Sequence, residues 1–266
     1  MQHRHSDRRR YFEELANTSR NYYIDYIKSY KDITGETSIL EIGCGEGGNL
    51  VPFAQMGCKV TGLDISEVRI RQATEFFREV NLEGEFCCVN FLNLPAPVKD
   101  EEKYDVILMH DVIEHIEAAD KEQFTQHIKK FVKTDGVIFI AFPAWQMPFG
   151  GHQQICHSKV CSITPFTHLL PMKAYKKYLS FFGENEACIN ELMSIKRSKM
   201  TIEHFERLCK NQKYEVLDRT LWFVNPHYKE KFGFPALKLN KIIGSIPFIR
   251  NYFSTSCFYL LTSSSQ

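Results

Sequence analysis

The chain has no surplus of either charge: 33 Lys and Arg stand against 32 Asp and Glu in 266 residues. A polyanion partner usually demands a basic excess, so no nucleic-acid partner is expected. Long apolar runs are missing too. No stretch of about 18 apolar residues occurs, as a membrane-spanning helix would need, and the Arg- and His-rich start Met1–Arg10 leads into no apolar segment, so it does not read as a signal peptide. The nine cysteines are odd in number and include no CxxC pair. They read as reduced, buried thiols of a cytoplasmic protein rather than as a disulfide framework. Internal repeats are absent, and the only low-complexity stretch is the short tail at Ser264 and Ser265. What is present is 44% apolar and 13% aromatic residues, enough for one substantial core with a smaller lobe.

Periodicity gives the order of elements. Tyr11, Leu15, Tyr22, Tyr23, Tyr26, Ile27 and Tyr30 recur at mostly helical spacing, predicting an N-terminal helical segment over 1–35. Strands are then predicted at Ser38–Ile42, Lys59–Leu63, Glu85–Val89, Tyr104–Met109 and Gly136–Phe142. Helices are predicted at Gly47–Gln55, Glu67–Val80 and Ala119–Val132. Such alternation implies a parallel sheet covered on both faces. Beyond Phe142, prolines and glycines interrupt a stretch rich in aromatics, His and Cys, predicting an irregular insertion to about residue 200. Thr201 is placed to N-cap a helix over Ile202–Asn211. Two further strands follow at Tyr214–Val224 and Ser256–Thr262, with a second irregular insertion over 225–255 between them.

Ile39 to Gly48 is a strand, a glycine-rich turn and the opening of a helix. Glycines there let the backbone approach a ligand and adopt dihedral angles closed to other residues. Gly43, Gly45 and Gly48 also satisfy the GxGxxG dinucleotide pattern, with Asp64 about 20 residues on, so the turn alone leaves a nicotinamide-dependent oxidoreductase open. Glu41 separates the two cofactors. A carboxylate at the strand end repels a pyrophosphate but attracts the ammonium and sulfonium of S-adenosylmethionine. Asp64, ending the second strand, is placed to accept from ribose hydroxyls.

On these residues the chain resembles class I S-adenosylmethionine-dependent methyltransferases: ExGxGxG at Glu41 to Gly47, the acidic Asp64, Asn90 to Pro95 after the third strand, and Tyr104 to Ile116. The resemblance covers about residues 36–142 and, more loosely, the last helix and strands. It implies a Rossmann-like, doubly wound seven-stranded α/β sheet, mostly parallel with an antiparallel last strand, in a methyltransferase domain over 36–266 whose insertions form a cap. It also implies that Glu41 holds the methionine ammonium, that Gly43, Cys44, Gly45 and Gly47 lie against the cofactor, that Asp64 and Ile65 meet the ribose, that Asn90 and Phe91 frame the adenine, and that His110 borders the methionine end. Asn90 stands where that family is commonly acidic.

Methyl transfer from a sulfonium is a direct displacement, so alignment and exclusion of water supply much of the catalysis. A hydroxyl acceptor must also lose a proton, which calls for a base or a metal. Asp111-Val112-Ile113-Glu114-His115 is similar to the ExxEH pattern of quinone-pathway O-methyltransferases, where these residues have been associated with a divalent metal. On a helical turn Asp111, Glu114 and His115 would share one face, whereas the default reading has Glu114 and His115 hydrogen-bonding the loop. Pro143 to Gln154 is similar to a stretch of polysaccharide-associated methyltransferases, with Gly150 and Gly151 free to close over an acceptor and His152 as candidate base. The candidate catalytic residues are thus His152, Asp111 and His115. His152, Cys156, His157, Cys161 and His168 match no common structural zinc spacing and read as core, so no metal is expected. Phe234 to Phe253 mixes Phe, Ile and Leu with Lys238, Lys241 and Arg250, an amphipathic lid by default, with peripheral contact to a membrane or a lipid-linked acceptor as the other reading. The expected function is methylation of a small-molecule acceptor at oxygen, a sugar or glycan precursor or a phenolic metabolite; the alternative is a protein that binds the cofactor without catalysis.

Overall fold

The computed structural model describes residues 7–263; Met1–Ser6 and Ser264–Gln266, which include most of the basic start and the serine tail discussed above, lie outside the described residues. One sheet organises the chain, with strands β1 (Ser38–Ile42), β2 (Lys59–Asp64), β3 (Glu85–Cys88), β4 (Tyr104–His110), β5 (Val132–Phe142), β6 (Tyr214–Val224), β7 (Leu237–Lys238) and β8 (Ser256–Ser263). Their order is β3-β2-β1-β4-β5-β8-β6-β7. The first five are parallel, and β8 runs antiparallel between β5 and β6. Seven of these answer the expected strands. The eighth, β7, is a two-residue edge strand inside the second insertion, antiparallel to β6.

Alternation along the strands builds the core. On β4, Ile107 and Met109 join Leu40, Ile42, Ile138 and Ile140 on one face, while Val106 and Leu108 join Ile39, Val137 and Phe139 on the other. Successive strand side chains point to opposite faces, so strands buried on both sides read as unbroken apolar runs.

Helices cover the two faces: α1 (Arg8–Thr18), α2 (Ile24–Lys28) after a π-turn, α3 (Val51–Gln55), α4 (Glu67–Glu79) and α5 (Lys121–Ile128). Asp7 caps α1, its carboxylate accepting from the Arg10 amide at 3.0 Å. The helix expected at Gly47–Gln55 opens instead with a tight turn at Gly48–Leu50 before α3. The helix expected at Ala119–Val132 is cut to α5, because Val132 already pairs with Tyr104 and starts β5; a register shift lets residues between Val132 and Val137 bulge out.

The first insertion is less irregular than expected. It holds α6 (Lys159–Ile163), α7 (Met172–Phe181) and α8 (Glu186–Ser198), with a small core that includes Tyr175, Leu179, Ile189 and Leu192. Thr201 caps α9 (Ile202–Asn211) as expected, accepting from the His204 amide. The second insertion holds α10 (His227–Phe232), α11 (Lys241–Ser245) and α12 (Ile249–Phe253). It is fastened to α9 by Arg250, which donates to Glu203 at 2.9 Å and Glu206 at 2.6 Å.

Candidate functional site

A cavity of about 460 Å³ opens at the carboxyl ends of β1 and β4, where open α/β sheets place ligands. Its floor is the turn after β1. Gly43, Gly45 and Gly47 all have positive φ, at 73°, 54° and 80°, a region that only glycine enters without cost. A Cβ at Gly43 would also stand 2.4 Å from Val112 Cγ2. Gly43, Cys44 and Gly45 line the cavity. Asp64 braces the turn from below: Oδ2 accepts from the Gly45 amide at 2.9 Å and Oδ1 from the Ser66 amide at 2.8 Å.

Three carboxylates are buried around these glycines: Glu41, Glu46 and Asp64. Glu41 lies one layer beneath the cavity wall. Asn49, which lines the cavity, donates to its Oε1 at 2.7 Å, and its Oε2 has no hydrogen-bond partner among the described residues. Burial pushes the Glu41 carboxyl up to about 8, against the opposing hydrogen bond from Asn49. Glu46 lines the cavity and its Oε1 lies 3.2 Å from Arg8 Nη1.

The adenosine side departs from expectation. Ile65 is 79% exposed on the open rim. Asn90 is spent locally, its Oδ1 accepting from the Leu92 amide at 3.0 Å. The Phe91 side chain is buried against Phe124, His127 and Phe131 and does not line the cavity. It is drawn in because its ring completes the core over α5, so only its backbone remains for an adenine.

At the end of β4, His110 lines the cavity, its Nε2 buried with no hydrogen-bond partner among the described residues and 3.6 Å from Asp111 Oδ2. Asp111 lines the cavity too, but with φ 54° in the left-handed region. The segment that follows is a series of turns, and α5 begins only at Lys121. Asp111, Glu114 and His115 therefore do not share a helical face. His152 takes the place expected of Asp111: atoms of Glu114, His115 and His152 lie within 4.8 Å of one another, a donor set that suits a divalent cation. Glu114 is buried, and neither of its carboxylate oxygens accepts a hydrogen bond among the described residues. Its backbone carbonyl accepts from Ser198 Oγ at 2.6 Å, and its carboxylate faces the imidazoles of His115 and His152 at 3.9 and 3.8 Å. Burial, with Asp111 nearby, holds the Glu114 carboxyl well above its usual range. Burial lowers His115 and brings His152 down to about 3, so His152 is neutral near pH 7. The two imidazoles meet edge-on at 4.9 Å.

Gly150 and Gly151 serve packing. A Cβ at Gly150 would come within 2.3 Å of Trp145 O, and one at Gly151 within 2.2 Å of His168 Cβ. Among the histidines and cysteines of this stretch, His168 stands apart, its Nε2 2.7 Å from Trp145 O. Sequence reasoning missed Arg8 and Tyr11 of α1 and His227 and Tyr228 of α10, all of which line the cavity. No local motif marks them. Asn49, by contrast, follows the glycine motif directly and was within reach of it.

Residues 39–136 match the family model described as a methyltransferase domain. A ubiquinone biosynthesis O-methyltransferase of Rickettsia canadensis (strain McKiel) is 30% identical over 121 residues, 45% of this chain and 48% of that protein. One from Pelagibacter ubique (strain HTCC1062) is 32% identical over 103 residues, 39% and 40% of the two chains. The chain thus spans about half the length, or less, of these curated relatives. Among solved structures, magnesium protoporphyrin IX methyltransferase from Synechocystis PCC 6803 with bound SAH superposes with a TM-score of 0.57, covering 94% of this chain and 84% of that one at 14% identity, a likeness of fold.

Proposed function

We propose that this chain, whose residues 39–136 form a class I methyltransferase domain, transfers a methyl group from S-adenosylmethionine to an oxygen of a small-molecule acceptor. The observation that carries the reading is the ring of buried carboxylates, Glu41, Glu46 and Asp64, around the glycine turn. Such a ring favours a ligand bearing an ammonium and a sulfonium and opposes a pyrophosphate. The relatives' printed chemistry, O-methylation, supports oxygen as the acceptor atom. A sugar or glycan precursor and a phenolic metabolite are the acceptor classes we put forward.

S-adenosylmethionine, when bound, supplies an electrophilic methyl group on a sulfonium. Glu41, through Asn49, and Glu46 hold the ammonium end; Gly43 and Gly45 admit the backbone close to it. Tyr11, Met147 and Phe149 exclude water from the cavity. His152 lines the cavity and takes the proton of the acceptor hydroxyl; above the raised pKa of Glu114, that carboxylate, whose Oε1 lies 3.8 Å from His152 Nε2, closes to hydrogen-bond distance and accepts the proton that Nε2 gives up. His115 turns its ring edge-on to His152 and limits its rotation.

Exposed Ile242, Phe248 and Phe234 beside Lys238 and Lys241 support peripheral contact of the second insertion with a lipid surface or lipid-linked acceptor. No described helix is long and apolar enough to cross a membrane. With no disulfide among the described residues, we assign the protein to the reducing cytoplasm.

A thermal-shift titration with S-adenosylmethionine, S-adenosylhomocysteine, NAD and NADP tests the cofactor, since a ligand of the folded state raises its stability by mass action. A rise with the first two supports the reading, and a rise with a dinucleotide alone overturns it. Turnover is then read as S-adenosylhomocysteine formed with phenolic and sugar acceptors. Binding without turnover across such a panel would favour a cofactor-binding protein that does not catalyse.

A further inference from the structure

In the first insertion three cysteines, Cys156, Cys161 and Cys188, belong to its small core, and a carboxylate, Glu184, is buried beside them. Cys156 follows the short turn Gln153–Ile155, Cys161 lies in α6, Glu184 in the link between α7 and α8, and Cys188 in the first turn of α8. Ligand atoms of Cys156, Cys161 and Glu184 lie within 4.8 Å of one another, and so do those of His157, Glu184 and Cys188. Cys156 and Cys188 are in addition side-chain hydrogen-bond neighbours. All three thiols and Glu184 are buried.

A carboxylate is costly filling for a lobe this small. Yet Glu184 is held in place: Oε1 accepts from the Ser158 amide at 2.8 Å, and Oε2 from the His157 amide at 3.0 Å. Among the described residues its ion-pair partner is His157, 3.3 Å from Oε2 through Nδ1. A buried anion facing three thiols is the donor chemistry of a thiophilic, four-coordinate cation. Zn–S bonds of about 2.3 Å place tetrahedral sulfurs roughly 3.8 Å apart, so the two trios, which share Glu184, draw together when the ion binds.

We propose that Cys156, Cys161 and Cys188, with Glu184 as the fourth donor, bind one zinc ion that ties α6 to α8. On binding, each thiol gives its proton to solvent and forms a Zn–S bond. Three thiolates and one carboxylate on Zn²⁺ leave the centre with the same net charge as a four-cysteine site. His157 steadies Glu184 from outside through Nδ1, as partners of metal ligands commonly do. The staple also reaches the cavity, because α8 carries Ser198, whose hydroxyl donates to the Glu114 carbonyl, and the turn before Cys156 begins at His152. The spacing of Cys156, His157 and Cys161 gave no zinc pattern because the remaining donors come from beyond α7.

The test is metal analysis of the full chain purified under reducing conditions from zinc-supplemented cells. One zinc per chain is expected. Cobalt loaded in its place should show a thiolate-to-cobalt charge-transfer band and tetrahedral ligand-field bands, both lost on zinc addition. Cys161→Ser and Cys188→Ser should lose the metal, while Cys88→Ser, at an exposed thiol, should keep it. Should the cysteine variants fail to fold, the zinc content and cobalt spectrum of the unaltered chain decide. A reduced chain that holds no zinc and gives no cobalt–thiolate band overturns the proposal, as does a zinc-free chain lighter by two hydrogens with Cys156 and Cys188 joined as a disulfide.

Discussion

His152 Nε2 lies 3.8 Å from Glu114 Oε1, and that carboxylate, buried, accepts no hydrogen bond among the described residues. A buried carboxylate left unsatisfied costs stability, and such costs concentrate at functional sites. Glu114→Gln and His152→Ala are each expected to lower kcat by about 10²–10⁴-fold with little change in cofactor affinity. In the proposed relay the ionised Glu114 is the proton sink, and burial raises its pKa, so kcat should climb with pH through that pKa, and Glu114→Gln should flatten the climb. A chelator should leave the rate unchanged. Loss of rate restored by Mg²⁺ but not by Zn²⁺ would instead place a cation between Glu114, His115 and His152.

Glu41 should trade stability for binding. Its folded-state pKa, raised to about 8 from 4.5, means that its contribution to the unliganded fold is full below 4.5 and lost as pH rises through 8. At pH 9 Glu41→Gln, whose amide oxygen still accepts from Asn49, is expected to raise the Tm of the unliganded chain. The same variant should weaken S-adenosylmethionine binding at least about tenfold near neutral pH, the loss of one charge-assisted contact, read by calorimetric titration.

Two alanine substitutions in one turn should behave differently. Gly45→Ala meets no atom within 4 Å and carries only the strain of φ 54°, about 1 kcal/mol, but puts a methyl group into the cavity proposed to hold the cofactor. Gly43→Ala adds a clash with Val112 Cγ2 at 2.4 Å and should cost about 2–4 kcal/mol in urea unfolding. Both should lose cofactor binding; equal stability losses would contradict the turn geometry.

Acid should loosen the first insertion. Burial holds His168 down to about 4, with its Nε2 bonded to Trp145 O. A folded pKa below the unfolded value of about 6.5 gives stability that is full above 6.5 and lost as pH falls to 4. The loss is on the order of 3 kcal/mol, and His168→Gln should reduce the slope of urea midpoint against pH in that window.

Lipid contact predicts that the chain sediments with anionic vesicles at low salt and less with neutral ones. Phe248→Ser with Ile242→Ser should reduce sedimentation severalfold. Equal sedimentation of the double variant would dismiss this face.

The part of the protein built from local pattern was readable in one dimension. β1, β2, β4 and α9 lie where apolar runs, a glycine turn and the Thr201 cap put them, because strand alternation, positive φ and capping are short-range requirements. The helical content of the first insertion was half legible: Tyr175 and Leu179, and Cys188, Ile189, Leu192 and Ile195, recur at helical spacing, though the prolines before them suggested irregular chain. Long-range contact alone decided the rest. Phe91 turned inward because the core over α5 had room for its ring, which no neighbour in sequence reports. Glu114 met His152 rather than Asp111 because the chain after β4 turns instead of entering a helix, so that the loop after β5 lies over it. Local sequence sets which backbone shapes are cheap, and the glycine turn and strands followed from that. Which polar side chains share a low-dielectric space is set by how distant segments pack, and that only the tertiary structure could decide.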